Sequence, residues 1–312
     1  MKLFNVALLG GLLTLLRMLA GFIISKCVAI YAGPAGMAQL GQLQNFVAGL
    51  NGLIANQIGQ GVVRYTADNK EQGIEACKPW WVASTSLLVL NLIFSLSFTV
   101  LFSHEIANWL FGNELFYWVI IVTGLALPLN AISTILMSVL NGLGDNGKNI
   151  ACGMIGVVCT TIFSIACLYL YGLSGGLFAV AVNNGISAIV VLFKAYKEPW
   201  FKLRHWFARA DSSKRKAMAA YMLMGIIGAL TGPTAMIVVR NLITEHASID
   251  AAGLWQAVIR VSDAYVSILT IGVGMYYFPK VASIHSSLDA INASCCCEYL
   301  SFKRFNNKTT LY

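Results

Sequence analysis

The chain has 312 residues, of which 58% are hydrophobic and only 11% charged; its apolar residues gather in runs of about 20 or more, which marks a polytopic membrane protein and excludes a soluble domain. A formal net charge of +8 would suggest nucleic acid in a soluble chain. In a membrane protein the same lysines and arginines report topology first, so no nucleic-acid partner is expected.

Eight spans follow one another. The first, Leu3 to Tyr31, is about twice the length of a signal-peptide core and contains Arg17, so it is expected to remain as a helix. The second is Met37 to Tyr65, the third Trp80 to Phe102, the fourth Tyr117 to Leu140 and the fifth Ile150 to Tyr171. The sixth, Leu177 to Phe193, is short at 17 residues. The seventh and eighth are Met218 to Arg240 and Ala251 to Phe278. With the N-terminus inside, the inner connections and tail hold 17 of the 21 basic residues and the outer connections none. The positive-inside rule then predicts a multi-pass membrane protein with a cytoplasmic N-terminus.

Cys27, Cys77, Cys152, Cys159 and Cys167 lie in spans or an inner connection, where thiols behave as small apolar groups. Cys295, Cys296 and Cys297 adjoin one another without a second ligand cluster, so no metal site is expected. Between spans six and seven, Lys194 to Ala217 carries eight basic residues and the aromatic stretch Trp200, Phe201, Trp206 and Phe207. That pattern predicts a linker lying on the anionic leaflet with its aromatics at headgroup depth. Ala35-Gly36-Met37-Ala38-Gln39 opens the second span and Ala252-Gly253-Leu254-Trp255-Gln256 the eighth, which suggests parallel internal repeats.

Besides Arg64 at the inner end of the second span, counted with the inner connection, four basic residues and one acid sit inside spans: Arg17, Lys26, Arg240, Arg260 and Asp263. At about 2.5 to 3.5 kcal/mol per charge at a helix centre, they cannot all face lipid. Arg17, halfway along the first span, should face the bundle interior or water. Lys26 is nearer the outer end, where snorkelling competes with a path role, and Arg240 is expected to snorkel as an interfacial anchor. On the second span Gln42, Asn45, Gly49, Gly52, Asn56, Gln60 and Arg64 recur every three or four residues and cover about 120° of arc, with Gln39 and Gln57 at the border. Such a stripe either lines a water-filled cavity or packs against another helix. The eighth span repeats the design with Gln256, Arg260, Asp263, Ser267, Thr270 and Gly274. Arg260 and Asp263 form either a structural pair or a pair that changes partner or proton during transport. Guanidiniums grip phosphate bidentately and amides suit sugar hydroxyls, so this inventory favours an anion bearing hydroxyls. Pro128 and Pro233 are candidate hinges. A polymerase or ligase is disfavoured, because no outer connection exceeds about 14 residues and no span contains histidine for acid-base work; no catalytic residue and no cofactor are expected.

Gly33-Pro34-Ala35-Gly36 after a basic first span, the glutamine-rich second span, and Trp255-Gln256 followed by Ser262-Asp263-Ala264-Tyr265 resemble the Wzx-type O-antigen and enterobacterial lipid-linked oligosaccharide flippases. These belong to the multidrug/oligosaccharidyl-lipid/polysaccharide exporter (MOP) superfamily, which also holds the MATE drug exporters. The resemblance covers about Met1 to Lys280. It implies an all-α transmembrane bundle, an alternating-access cavity between two six-helix bundles, and an undecaprenyl-pyrophosphate-linked oligosaccharide as substrate. It also implies that basic residues of the first, second and eighth helices line the cavity, here Arg17, Lys26, Arg64 and Arg260. Since that family has about twelve helices, the eight spans here lead to the expectation of a truncated member. Its parts are a six-helix bundle over 1–193, a basic cytoplasmic linker over 194–217, the first two helices of a second bundle over 218–280, and a divergent tail over 281–312 that reads as a frameshift or truncation product.

The expected function is translocation of an O-antigen-type, lipid-linked repeat unit, and not enzymatic work. The alternatives are a cation-coupled drug exporter and a nonfunctional truncated remnant. Arg17, Lys26, Gln42, Asn45, Asn56, Gln60, Arg64, Gln256 and Arg260 are the candidate substrate-binding residues, and Asp263 is the candidate coupling residue. Membrane lipids, the polysaccharide polymerase and the chain-length regulator are the further candidate partners.

Overall fold

In a computed structural model the described residues are 3–196, 198, 200–201, 206 and 211–282; the expected divergent tail, with Cys295 to Cys297, lies outside them apart from its first two residues. The described residues form helices and turns, without a strand among them. The helices are α1 (Leu3–Asn51), α2 (Gln57–Asn69), α3 (Ile74–Leu101), α4 (Ser103–Phe111), α5 (Tyr117–Leu143), α6 (Asn146–Ala195), α7 (Ser212–His246) and α8 (Ile249–Ala282).

Four continuous helical stretches among the described residues are long and apolar enough to cross a membrane: Leu8–Gln72, Ile74–Leu101, Glu114–Leu143 and Asn146–Ala195. The first, at 65 residues, would be about 98 Å long if straight, against a hydrocarbon core of about 30 Å. It folds back instead. Gly33 adopts φ 67° and ψ −173° just before Pro34, a backbone that a side chain with Cβ resists. As a result Ile24 and Gln44, which a straight helix would hold about 30 Å apart, line one small cavity. Gly172, at φ 57° and ψ −136°, does the same in α6, so that a Cβ on Gly156 would lie 3.4 Å from Ser187 Oγ. Each of these helices therefore supplies two adjacent spans, and both breaks fall between the spans read from sequence.

A widened turn over Gly52–Asn56 joins α1 to α2 with π-type geometry. Such a turn loosens the backbone hydrogen-bond ladder, and Asn91 Nδ2 of α3 donates to Leu53 O at 2.8 Å. Asn130 of α5 also donates to Asn51 Oδ1. Amides here tie helices together where lipid offers no partner.

One cluster of buried side chains unites Ile54, Ile58 and Val62 with Trp81, Leu136, Val139 and Met218. A second joins Val28, Leu40 and Leu43 with Ile106, Leu110, Ile120, Leu168 and Leu177. The short helix α4 belongs to the second cluster through Ile106, Ala107, Leu110 and Phe111. Leu90, Phe94 and Leu101, on the outside of α3, are 68%, 72% and 75% exposed; an apolar flank of this kind suits contact with acyl chains.

The linker differs from the sequence expectation. Trp200 and Trp206 are buried, with Trp206 stacked on Trp81 at 5.5 Å and Trp200 edge-on to the same indole at 6.1 Å. Trp81 in turn donates Nε1–H to Thr66 Oγ1 at 2.9 Å. Aromatic pairs of this kind contribute about 0.5 to 1.5 kcal/mol beyond burial, and sequence periodicity cannot reveal them. By its contacts the chain divides into Met1–Arg260 and Val261–Tyr312; the described part of the second is the rest of α8.

Candidate transport path

The polar stripe of the second span faces α7. A Cβ on Gly49 would stand 3.5 Å from Pro233 Cβ, and one on Gly52 would stand 2.6 Å from Ala229 Cβ. Further along, Gly61 packs on Met218 and Tyr221, and Arg64 Nη1 donates to Tyr221 Oη at 2.5 Å. Each step forward along α1 and α2 is matched by a step backward along α7, so the two run antiparallel in register. The glycines of the stripe are therefore a packing surface: absent side chains let the backbones approach, as interfaces between membrane helices require. Asn56, Gln60 and Arg64 remain exposed, while Asn45 is half-buried. Arg64 also lies 3.9 Å from Asp68.

At the opposite end of this interface Arg240 is 1% exposed. Its Nη1 donates to Gln42 Oε1 at 2.6 Å, and its Nη2 donates to Gln256 Oε1. Gln42 Nε2 donates in turn to Asn241 Oδ1 at 2.5 Å, and Asn241 Nδ2 donates to Trp109 O of α4 at 3.0 Å. The guanidinium also lies 5.5 Å from the centre of the Trp255 ring, where the π face attracts a cation. Arg240 thus draws α1, α7 and α8 together, with α4 attached through Asn241. It is not the interfacial anchor expected from sequence. The span was read as ending at Arg240, but α7 runs on to His246, which sets the arginine about 9 Å inside the helix end. Burying an ion costs several kcal/mol unless hydrogen bonds replace its water, and the two glutamine carbonyls supply them. The repeat visible in the sequence pairs Gln256 with Gln39, whereas the guanidinium meets Gln42, three positions further on.

Of the other candidate residues, Arg17 and Lys26 are exposed on the first span, and Arg17 reaches toward Gly153 of α6. Arg260 is half-buried one turn beyond Gln256. Asp263 is exposed. Gln42 and Gln256 are the two candidates that the fold brings together. Elsewhere, Lys148 at the start of α6 bonds Glu198 at 2.8 Å and Asp145 at 3.3 Å. These bonds, Glu198's foremost, raise the lysine's pKa and favour its charged form.

No family model matches the chain. It is 24% identical over 289 residues to the lipid III flippase of Escherichia coli (strain K12), covering 93% of this chain and 69% of that protein. The figures are the same for the lipid III flippase of Shigella flexneri. An inward-facing multidrug resistance MATE family transporter of the MOP superfamily superposes with a TM-score of 0.62 at 14% identity, over 83% of this chain and 63% of that one. A MOP superfamily transporter from Pyrococcus furiosus gives 0.66 at 14% identity, over 85% and 62%. This chain thus spans somewhat less than two thirds of the length of those solved transporters. With its helical breaks, lipid-suited flanks and buried polar seam, the chain is a multi-pass membrane protein with the fold of those solved transporters.

Proposed function

We propose that the chain moves an undecaprenyl-pyrophosphate-linked oligosaccharide of the O-antigen type from the cytoplasmic to the periplasmic leaflet of a bacterial inner membrane. The observation that carries this reading is the likeness to the lipid III flippases along 93% of the chain, and the intramembrane charges agree with it. Four positive residues against one acid favour an anionic head group, while the lipid tail can stay in the bilayer. Arg17, Lys26, Arg64 and Arg260 are proposed to meet the pyrophosphate, with Asn45, Asn56 and Gln60 meeting sugar hydroxyls. Gln42 and Gln256 act through Arg240, and Asp263 is the proposed coupling group. The 1–193 bundle and the 218–280 helices form the two sides of the path, joined by a cytoplasmic 194–217 linker. Polymerase and chain-length regulator receive the exported unit.

The test is expression in a strain that lacks its own flippase, with surface polysaccharide and accumulated lipid-linked precursor measured together. Restored display with falling precursor is the expected result, and Arg17→Ala and Arg260→Ala should each reduce it at unchanged protein level. Efflux of cationic dyes with no effect on precursor would contradict the reading and favour a drug exporter.

A further inference from the structure

Beside the buried Arg240 lies a pocket of about 210 Å³ whose walls include Gln39 and Gln42 of α1, Asn108 and Trp109 of α4, and Arg240 and Glu245 of α7. Two residues of its lining each carry a buried polar atom without a hydrogen-bond partner: Arg240 Nε, a donor, and Gln39 Oε1, an acceptor. A hydroxyl group has both capacities, accepting from a donor of the first kind and donating to an acceptor of the second. A phosphate oxygen can only accept.

We propose that this pocket is a binding site for a single sugar ring, and that it receives one sugar of the transported head group. Four observations converge on that ligand. The unpartnered donor and acceptor match a hydroxyl. The indole of Trp109 is 47% exposed and offers a flat apolar surface of the kind the C–H face of a pyranose covers, and Asn108 beside it supplies both donor and acceptor. Glu245 opposes the charge of Arg240, so the pocket lacks the net positive field that would select phosphate. Finally, the volume falls below the roughly 300 to 1,000 Å³ of sites for drug-sized ligands, which suits one ring and excludes an oligosaccharide. The orientation proposed above puts the connections at 103–116 and 241–250 outside, so the site stands at the exit. A sugar arriving there is held while the lipid pyrophosphate is still within the path, which biases the head group outward.

The inference rests on the flippase reading, and photo-crosslinking separates the two. The full chain carries a benzophenone amino acid at Asn108, at Asn56 in the proposed path, or at the lipid-facing Phe94 as background. The probe is a radiolabelled polyprenyl-pyrophosphate oligosaccharide or the same lipid stripped of sugar. The expected result is crosslinking at Asn108 at least tenfold above Phe94 with the sugar-bearing probe, falling to background with the stripped lipid. Trp109→Ala should cut the Asn108 signal several-fold and Trp109→Phe should keep it, both at unchanged thermal stability. Labelling at Asn56 but not at Asn108 overturns the sugar site and leaves the flippase standing. Equal labelling of Asn108 by the stripped lipid overturns it too. Labelling at neither position contradicts the flippase reading and removes the basis of this one.

Discussion

Arg240 shows at the scale of one residue what sequence depth arguments miss. A guanidinium near the end of an apolar run has two cheap outcomes, a reach to the interface or burial with partners. The choice depends on side chains about 16 and 198 positions away in the chain. Because hydrogen bonds to a charged group are worth about 1.5 to 3 kcal/mol, Gln42→Leu should destabilise the protein by roughly that amount in a thermal unfolding series in detergent. Arg240→Met removes the charge together with its need for partners, so it should cost less than Gln42→Leu does. If Gln42→Leu unfolds at the temperature of the unmodified chain, the guanidinium draws its support from elsewhere.

At the scale of elements, the breaks after the first and fifth spans were legible because a bilayer demands long apolar runs and because Gly33-Pro34 and Gly172 interrupt them. The widened turn at Gly52–Asn56 was not legible, since nothing local distinguishes Gly-Leu-Ile-Ala-Asn from an ordinary helical turn; it is held by Asn91 from another helix. The polar stripe was visible, but whether it met water or a neighbour depended on α7. The register of that contact can be trapped. Gly49 and Pro233 would place their Cβ atoms 3.5 Å apart, at the short end of the disulfide range of about 3.5 to 4.5 Å, so Gly49→Cys with Pro233→Cys should crosslink under mild oxidant, read by mass spectrometry. A pairing of Gly49→Cys with Met236→Cys, almost one turn away, should crosslink far less. The same interface predicts that Gly49→Ala is tolerated. Gly52→Ala would set its methyl 2.6 Å from Ala229 Cβ and 3.3 Å from Ala229 Cα, and should cost about 1 to 3 kcal/mol as overpacking does. Equal stability of the two variants would contradict the antiparallel packing.

For the whole molecule, the multi-pass membrane class followed from composition and apolar runs and the all-α transporter bundle from the resemblance carried by Gly33 to Gly36 and Trp255 to Tyr265, whereas the sidedness of the membrane rests on loop charge. Reporter fusions at Asn108, Ser174 and Ser248 should therefore read as periplasmic and those at Asn69, Gly147 and Ser212 as cytoplasmic; a periplasmic reporter at Ser212 would invert the proposed direction of transport. The central claim is movement of a lipid-linked sugar, and the most direct measurement is made in proteoliposomes. A labelled polyprenyl-pyrophosphate oligosaccharide is confined to the inner leaflet, and a membrane-impermeant oxidant outside attacks only sugars that have crossed. The account predicts that oxidation of the head group proceeds with the protein present and slows several-fold with Arg17→Ala or Arg260→Ala. Oxidation no faster than in protein-free liposomes would contradict it.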